Sequence, residues 1–166
     1  MSLSLFLLAA APKPICPGTS ALIAASCTAQ VHAQATCDQL KNEIIARVNQ
    51  QPKFWHDPHN NGTYTLLPKV KENQLQLERL TGNRLYTDRI TFTFQDRDDG
   101  TCAFSGCSQS QVFSVGDQGT NYCNLFALYC GKSYGCKVAE QDIHVTELKV
   151  TPSLPNRASK STCLKV

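Results

Sequence analysis

The sequence predicts an α+β domain: a leading amphipathic helix packed on a meander of five or six antiparallel strands, with a short late helix clamped to the sheet by disulfides. Three observations point there. Leu40, Ile44, Ile45 and Val48 recur at helical spacing. From Thr63 the period changes to two, with explicit turn residues between the runs. Five of the nine cysteines lie between Cys102 and Cys136, a density that reduced intracellular proteins seldom carry. A small closed barrel of the lipocalin kind is the alternative, but it would need about eight strands.

Taken in order, Ser2 to Ala11 is short and apolar, as the core of a secretory leader is, although no Lys or Arg precedes it. A second mildly apolar stretch, Ala21 to Val31, ends in a small-x-small pattern at Ala33 and Ala35. Residues 1–35 are therefore expected to be a secretory or targeting leader, and residues 36–166 a single disulfide-stapled domain starting at Thr36. Pro12, Pro14 and Pro17 argue against a buried helix there.

Cys37 to Val48 reads as the amphipathic helix, with Asp38 near its start and Arg47 near its end, as the helix dipole favours. Strands are expected over Thr63 to Leu67, Gln74 to Leu80, Leu85 to Gln95, Thr101 to Ser105, Gln109 to Val115 and Asp142 to Val150. Thr81-Gly82-Asn83-Arg84 and Asp98-Asp99-Gly100 carry hairpin chemistry. Ile90, Phe92 and Phe94 alternate with Arg89, Thr91 and Thr93, which predicts a half-buried antiparallel strand. Thr120 to Cys130 reads as a short buried helix ended by Gly131.

Disulfides explain the cysteines better than zinc, because the near-pairs Cys102/Cys107 and Cys130/Cys136 are set wider than a usual zinc knuckle. Loss of the leader would leave Cys37, Cys102, Cys107, Cys123, Cys130, Cys136 and Cys163. An odd set leaves one thiol free or makes a disulfide-linked dimer. Cys123 and Cys130, seven apart on a helix, are about 10 Å apart at 1.5 Å rise per residue and must each bond a cysteine outside it. Cys136 can return to either one, and Cys102 or Cys107 can take the other. Cys102 and Cys107 face opposite sides of a strand running through both, so they do not pair with each other.

The formal charge is +3 and only 17% of residues are charged, with Lys and Arg scattered singly. That excludes the electrostatic footprint of a nucleic-acid binder. No apolar run reaches the about 18–20 residues of a membrane-spanning helix.

The loop Trp55 to Tyr64 is the most unusual polar stretch. His56, Asp57 and His59, with His144 approaching in space, are the candidate metal ligands. The competing reading is a turn in which Asp57 and Asn60 bond the backbone while Trp55 plugs the sheet edge. Asn61-Gly62-Thr63 is an N-glycosylation sequon. A cysteine hydrolase would need one free thiol beside His56, His59 or His144. The Gly-x-Ser-x-Gly elbow and the glycine-rich phosphate loops are absent, so no catalytic set and no cofactor is indicated. Asp96-Arg97-Asp98-Asp99-Gly100 resembles a calcium loop, but Cys107 stands where its last glutamate belongs, and it reads as a turn. The sequence favours an exported, non-enzymatic binding or structural protein whose partner is a protein, a glycan or a small ligand. The rivals are a His/Asp metal-dependent or cysteine hydrolase, and a small-ligand carrier with an apolar cavity inside its sheet.

Overall fold

The structure is a computed structural model that describes residues 10–154 and 159–165. A sheet of six antiparallel strands runs β2-β3-β4-β5-β1-β6, formed by β1 (Ser26–Ala33), β2 (Thr63–Leu66), β3 (Gln74–Leu80), β4 (Thr87–Asp96), β5 (Cys102–Ser110) and β6 (Val145–Pro152). The helices are α1 (Cys37–Asn49) and α2 (Thr120–Tyr129). The architecture is α+β. The sheet is open, with β2 and β6 as its edges, so it is not the closed barrel.

The strand β1 corrects the reading of residues 1–35 as a removable leader. Ser26–Ala33 pairs with β5 on one side and β6 on the other, and Cys16, further upstream, is bonded to Cys107. Cleavage after Ala35 would take a strand out of the sheet and break that bridge. The domain thus begins well before Thr36, and α1 is not its leading element. Thr36 itself caps α1: its side chain accepts from the Gln39 N–H at 3.2 Å while the Gln39 side chain accepts from the Thr36 N–H at 2.9 Å. Residues 1–9, most of the expected leader's apolar core, lie outside the described residues.

β2 through β5 form the expected meander. The predicted pair of strands at 101–105 and 109–115 is a single strand, β5. Its serines and Gly106 look like punctuation, yet Ser108 and Ser110 are buried and hydrogen-bonded. A Cβ on Gly106 would lie 2.8 Å from the Phe92 ring and 3.0 Å from Leu125, so the glycine is where α2 descends onto the sheet.

Both helices cover one face. Phe104 meets Tyr129 edge-on at 5.4 Å between centroids, Cys102 is bonded to Cys37 of α1, and Phe92, Phe94 and Phe104 form a ring cluster beneath them. Every residue from Asn121 to Tyr129 is buried. The opposite face is covered over β1 and β5 by the segment preceding β1: Gln30 donates to the Ala11 carbonyl at 3.1 Å, and the Gly18 N–H donates to Gln109 at 3.0 Å. Thr91 and Thr93 are therefore buried as well, and β4 is not half-buried as its alternation predicts.

Arg47 serves α2 more than its own helix. Its guanidinium donates at 2.8 Å to the carbonyls of Ala127 and Cys130, filling orphan acceptors at the end of α2. It also pairs with Glu43 at 2.8 Å, and Glu43 accepts the consecutive N–H groups of Ala139, Glu140 and Gln141, each at 2.8 Å. A buried pair of charges is tolerated because each partner is completed by backbone dipoles.

Four disulfides hold the domain: Cys16–Cys107, Cys37–Cys102, Cys123–Cys163 and Cys130–Cys136. Cys123 and Cys130 each bond a cysteine outside α2, and Cys102 and Cys107 do not bond each other. The expected clamp between α2 and the sheet is corrected, because Cys102 faces the start of α1 and Cys107 faces the segment before β1. The unpaired cysteine is Cys27, 1% exposed under α2, where it is out of reach of a second chain. The disulfide-linked dimer expected from an odd count is corrected accordingly.

Candidate functional site

Three connections meet at one end of the sheet, where β1, β2 and β4 begin and β3 and β5 end. They are the loop before β2, the hairpin between β3 and β4, and the segment between β5 and α2. Together they enclose a cavity of about 780 Å³, within the about 300–1,000 Å³ of small-molecule sites.

The loop is fixed from below by a buried ion pair. Asp57 and Arg79 are both inaccessible to solvent, with Arg79 Nε donating to Asp57 Oδ2 at 3.0 Å. Asp57 also accepts the N–H groups of His59 and Gly62 at 2.9 Å, and Arg79 Nη2 donates to the His59 carbonyl and to Asn60 Oδ1 at 2.7 Å. Gly62 is glycine because a Cβ there would stand 2.5 Å from the guanidinium. The pair thereby carries His59 and Asn60 to the cavity wall.

The floor is a buried polar chain linking β4, β5 and α2. Asp88 accepts from Ser110 Oγ and from Asn124 Nδ2, both at 2.8 Å. Asn124 also donates to Ser108 Oγ at 3.0 Å, and that hydroxyl donates to Asn121 Oδ1 at 2.6 Å. Asn121 Nδ2 donates to Ser110 Oγ at 3.2 Å and to Asp117 Oδ2 at 2.7 Å. Asp117 completes the start of α2 by accepting the N–H groups of Gly119 at 3.1 Å and Asn121 at 2.8 Å, a capping role taken over because the N-cap residue is Gly119. Of this chain, Asp88, Ser110 and Asp117 line the cavity.

His59 lies against Thr120 Oγ1, 3.3 Å from its Nε2, while its Nδ1 is buried without a hydrogen-bond partner. Burial and the nearby Arg79 cation push its basicity below the ordinary imidazole value, against the opposing pull of Asp57. The remaining wall residues include Thr81, Gly82, Asn83, Ser114, Gln118 and Thr162. No Lys or Arg is among the lining side chains. Tyr86, 45% exposed, stands at the mouth, and Leu85, Phe113 and Val115 are exposed on the same connections.

The candidate metal ligands are not brought together. Asp57 is spent on Arg79 and backbone amides, and His59 faces the cavity. His56 borders a separate hollow of about 130 Å³ beside Trp55 and Cys136. His144 is exposed near the start of β6, at the other end of the sheet. Among the described residues no group of three or more His, Cys, Asp or Glu is placed to hold a metal ion. Trp55 is buried, with Nε1 donating to the Lys137 carbonyl at 3.0 Å. Asn61 is exposed at φ 52°, beside the cavity wall. His59 is the one sequence candidate that lines the cavity; Tyr86, Asp88 and Ser110 were not singled out because they fall inside predicted strands, nor were Asp117 and Gln118, which lie between the predicted elements.

No family model matches the chain, and no curated sequence is significantly similar to it. Among the described residues, no helix is long and apolar enough to cross a membrane.

Proposed function

We propose that this is an exported or lumenal, non-enzymatic binding protein whose ligand enters the cavity between the loop before β2, the β3–β4 hairpin and the start of α2. The observation that carries the reading is the cavity's construction. Its floor and one wall are held by buried, hydrogen-bonded polar groups, Asp88 and the Asp57–Arg79 pair, which a surface needed only for solubility would not require. The cavity is lined mostly by residues with polar side chains, among them Asn60, Asp88, Asp117 and Gln118, and lies at the end of the sheet, not inside it, which favours a receptor for a polar ligand over a carrier of apolar ones.

The oxidising compartment is supported by four disulfides in a chain of 166 residues. Asn61, exposed in its sequon, is a suitable acceptor for a glycan in a eukaryotic secretory route.

A hydrolase would draw on the His59–Thr120 contact at 3.3 Å. It lacks a group to orient the imidazole, since Asp57 bonds the His59 backbone and Arg79 and not the ring. The free thiol of Cys27 is an unsuitable nucleophile, with its pKa pushed up to about 12 by burial and by Asp117 and Glu147.

Amide NMR of the isotopically labelled protein, titrated with a chemically diverse library of small polar compounds, tests the reading. A ligand that shifts residues 59–60, 82–88 and 114–120 as one saturable set is the expected result. A folded spectrum that no compound perturbs at these residues, or turnover of chromogenic ester or phosphate substrates that Thr120→Ala abolishes, would overturn it.

A further inference from the structure

We infer that the ligand of this cavity is a neutral saccharide. The inference rests on the binding-protein reading above and names its ligand class.

The lining disfavours an anion, because two carboxylates, Asp88 and Asp117, face the cavity and no Lys or Arg side chain does. It also disfavours a simple ammonium ion, which offers only donors. Asn60 bears on this point. Its Oδ1 accepts from the Arg79 guanidinium at 2.7 Å, which holds the side chain, and its amide N–H₂, with no hydrogen-bond partner among the described residues, is left to meet an acceptor on the ligand. Gln118, exposed on the opposing segment, offers a further amide. Asp88 provides the complementary acceptor: it takes one hydrogen bond on each oxygen, from Ser110 and Asn124, and a carboxylate has about four lone-pair sites in all. The cavity thus sets amide donors against a carboxylate acceptor. A hydroxyl group both donates and accepts, and neighbouring hydroxyls on a sugar ring can satisfy the two kinds of group together.

The mouth agrees with this chemistry. Tyr86 is 45% exposed at the cavity edge, and an aromatic face there suits the C–H face of a pyranose ring, which is apolar although its equatorial edge is polar. The hairpin that carries Tyr86 is fixed: Thr81 Oγ1 donates to Asn83 Oδ1 at 2.7 Å and accepts the Tyr86 N–H at 3.1 Å. The backbone that carries the stacking ring is therefore preorganised, which lowers the ordering cost of binding a flexible, well-hydrated ligand.

The experiment is calorimetry and amide NMR on the full, oxidised chain with three probe sets. They are neutral sugars (glucose, galactose, mannose, N-acetylglucosamine and their dimers and trimers), the amines putrescine and spermidine, and inorganic phosphate. Saturable binding of a sugar is expected, weakened at least tenfold in Tyr86→Ala and in Gln118→Ala and kept within threefold in Tyr86→Phe. Both positions are exposed, and an unchanged amide spectrum away from the cavity shows that the variants fold. Binding of an amine or phosphate at the cavity without any sugar would overturn the ligand class and leave the binding-protein reading standing. Sugar binding insensitive to both alanine variants, or no binding by any sugar, would overturn the inference, whereas the reading beneath it falls only to a silent broad library or to the Thr120-dependent turnover described above.

Discussion

Arg79 and Asp57, which lie apart in sequence on β3 and on the loop before β2, form an ion pair from which solvent is excluded on both sides. The pair also bonds the His59 and Gly62 amides, the His59 carbonyl and Asn60 Oδ1, so the loop it organises solvates its charges, with Arg79 Nη1 alone left buried without a hydrogen-bond partner. The cavity wall and the stability of the fold consequently share the same two side chains.

Breaking the pair should be costly. Arg79→Met leaves the Asp57 carboxylate buried without its cation, and the loss expected for an interrupted buried pair is about 3–5 kcal/mol. Asp57→Asn together with Arg79→Met should be less damaging than Arg79→Met alone, because no uncompensated charge remains. Urea unfolding of the two variants checks this. A loss for Arg79→Met no larger than that of a surface substitution, about 0.5 kcal/mol, would contradict the account.

Glu43 makes the fold sensitive to acid. Burial alone would raise its carboxyl, but the Gln141, Ala139 and Glu140 amides and the Arg47 guanidinium outweigh burial and hold it below its ordinary value of 4.5. A carboxyl with a depressed folded-state pKa contributes stability that is complete above the unfolded value and is lost as pH falls through the folded one. Unfolding free energies measured from pH 6 downward, at about one-unit steps, should therefore fall more steeply below 4.5 in the parent than in Glu43→Gln. Parallel curves would show that the Glu43 cradle is not formed in solution.

The fold was legible wherever side-chain period was clean. α1, β3 and α2 lie within a residue or so of where spacing puts them, and the two hairpin turns follow from Gly82-Asn83 and Asp98-Asp99-Gly100. β1 was hidden because Ser-Cys-Thr-Ala-Gln-Val-His-Ala lacks large apolar residues, and its small inward side chains, Cys27, Ala29, Val31 and Ala33, are what a central strand needs beneath a close-packed helix. The same small residues imitate a cleavage site. β5 was split in two at Gly106, Cys107 and Ser108, because the polarity of Ser108 is matched by Asn121 and Asn124 of α2, a partnership that only tertiary structure reveals. The cavity was illegible for the same reason: its residues come from connections with no local pattern in common.

The thiol count provides a direct check on the covalent frame. Cys27 is buried with its pKa pushed up to about 12, so it should resist alkylation in the native protein. Denaturation without reductant should then expose one reactive thiol, and reduction all nine. Non-reducing peptide mapping should recover Cys16 bonded to Cys107 and Cys37 bonded to Cys102. A mass lacking residues 1–35 would be incompatible with this frame, since Cys16 and β1 would be gone.

His59 should titrate below the ordinary imidazole value of 6.5, because it is buried and lies near the Arg79 cation. Its folded pKa is depressed, so the neutral ring is the one the fold prefers, and its contribution to stability is complete above 6.5 and declines as pH falls through the folded value. Imidazole NMR should find the midpoint below 6.5 in the parent and raised in Arg79→Met, where the cation is gone and Asp57 remains. A parent midpoint at or above the ordinary value would mean that the loop is open in solution.

Gly82 is where the hairpin and the loop before β2 touch backbone to backbone. A Cβ built there would lie 2.3 Å from the Asn60 carbonyl oxygen and 3.1 Å from that of Asn61, too close for either to remain in place. The obstacle is steric and not conformational, since Gly82 is not among the glycines with positive φ. Arg79 grips Asn60 and His59 from the other side, so the loop cannot retreat without straining the buried pair. Gly82→Ala is accordingly expected to cost about 1–3 kcal/mol, the range of overpacking, because the added carbon meets backbone that cannot yield freely, and to shift the amides of residues 59–62. Gly116→Ala is the matched control: it too lines the cavity, but its Cβ would meet no atom within 4 Å and its φ is not positive, so its effect should stay within about 0.5 kcal/mol. Thermal and urea unfolding of the two variants, with amide spectra of each, checks the contrast. Equal stability of Gly82→Ala and Gly116→Ala, with residues 59–62 undisturbed, would show that the two connections do not meet and that the cavity lacks this wall.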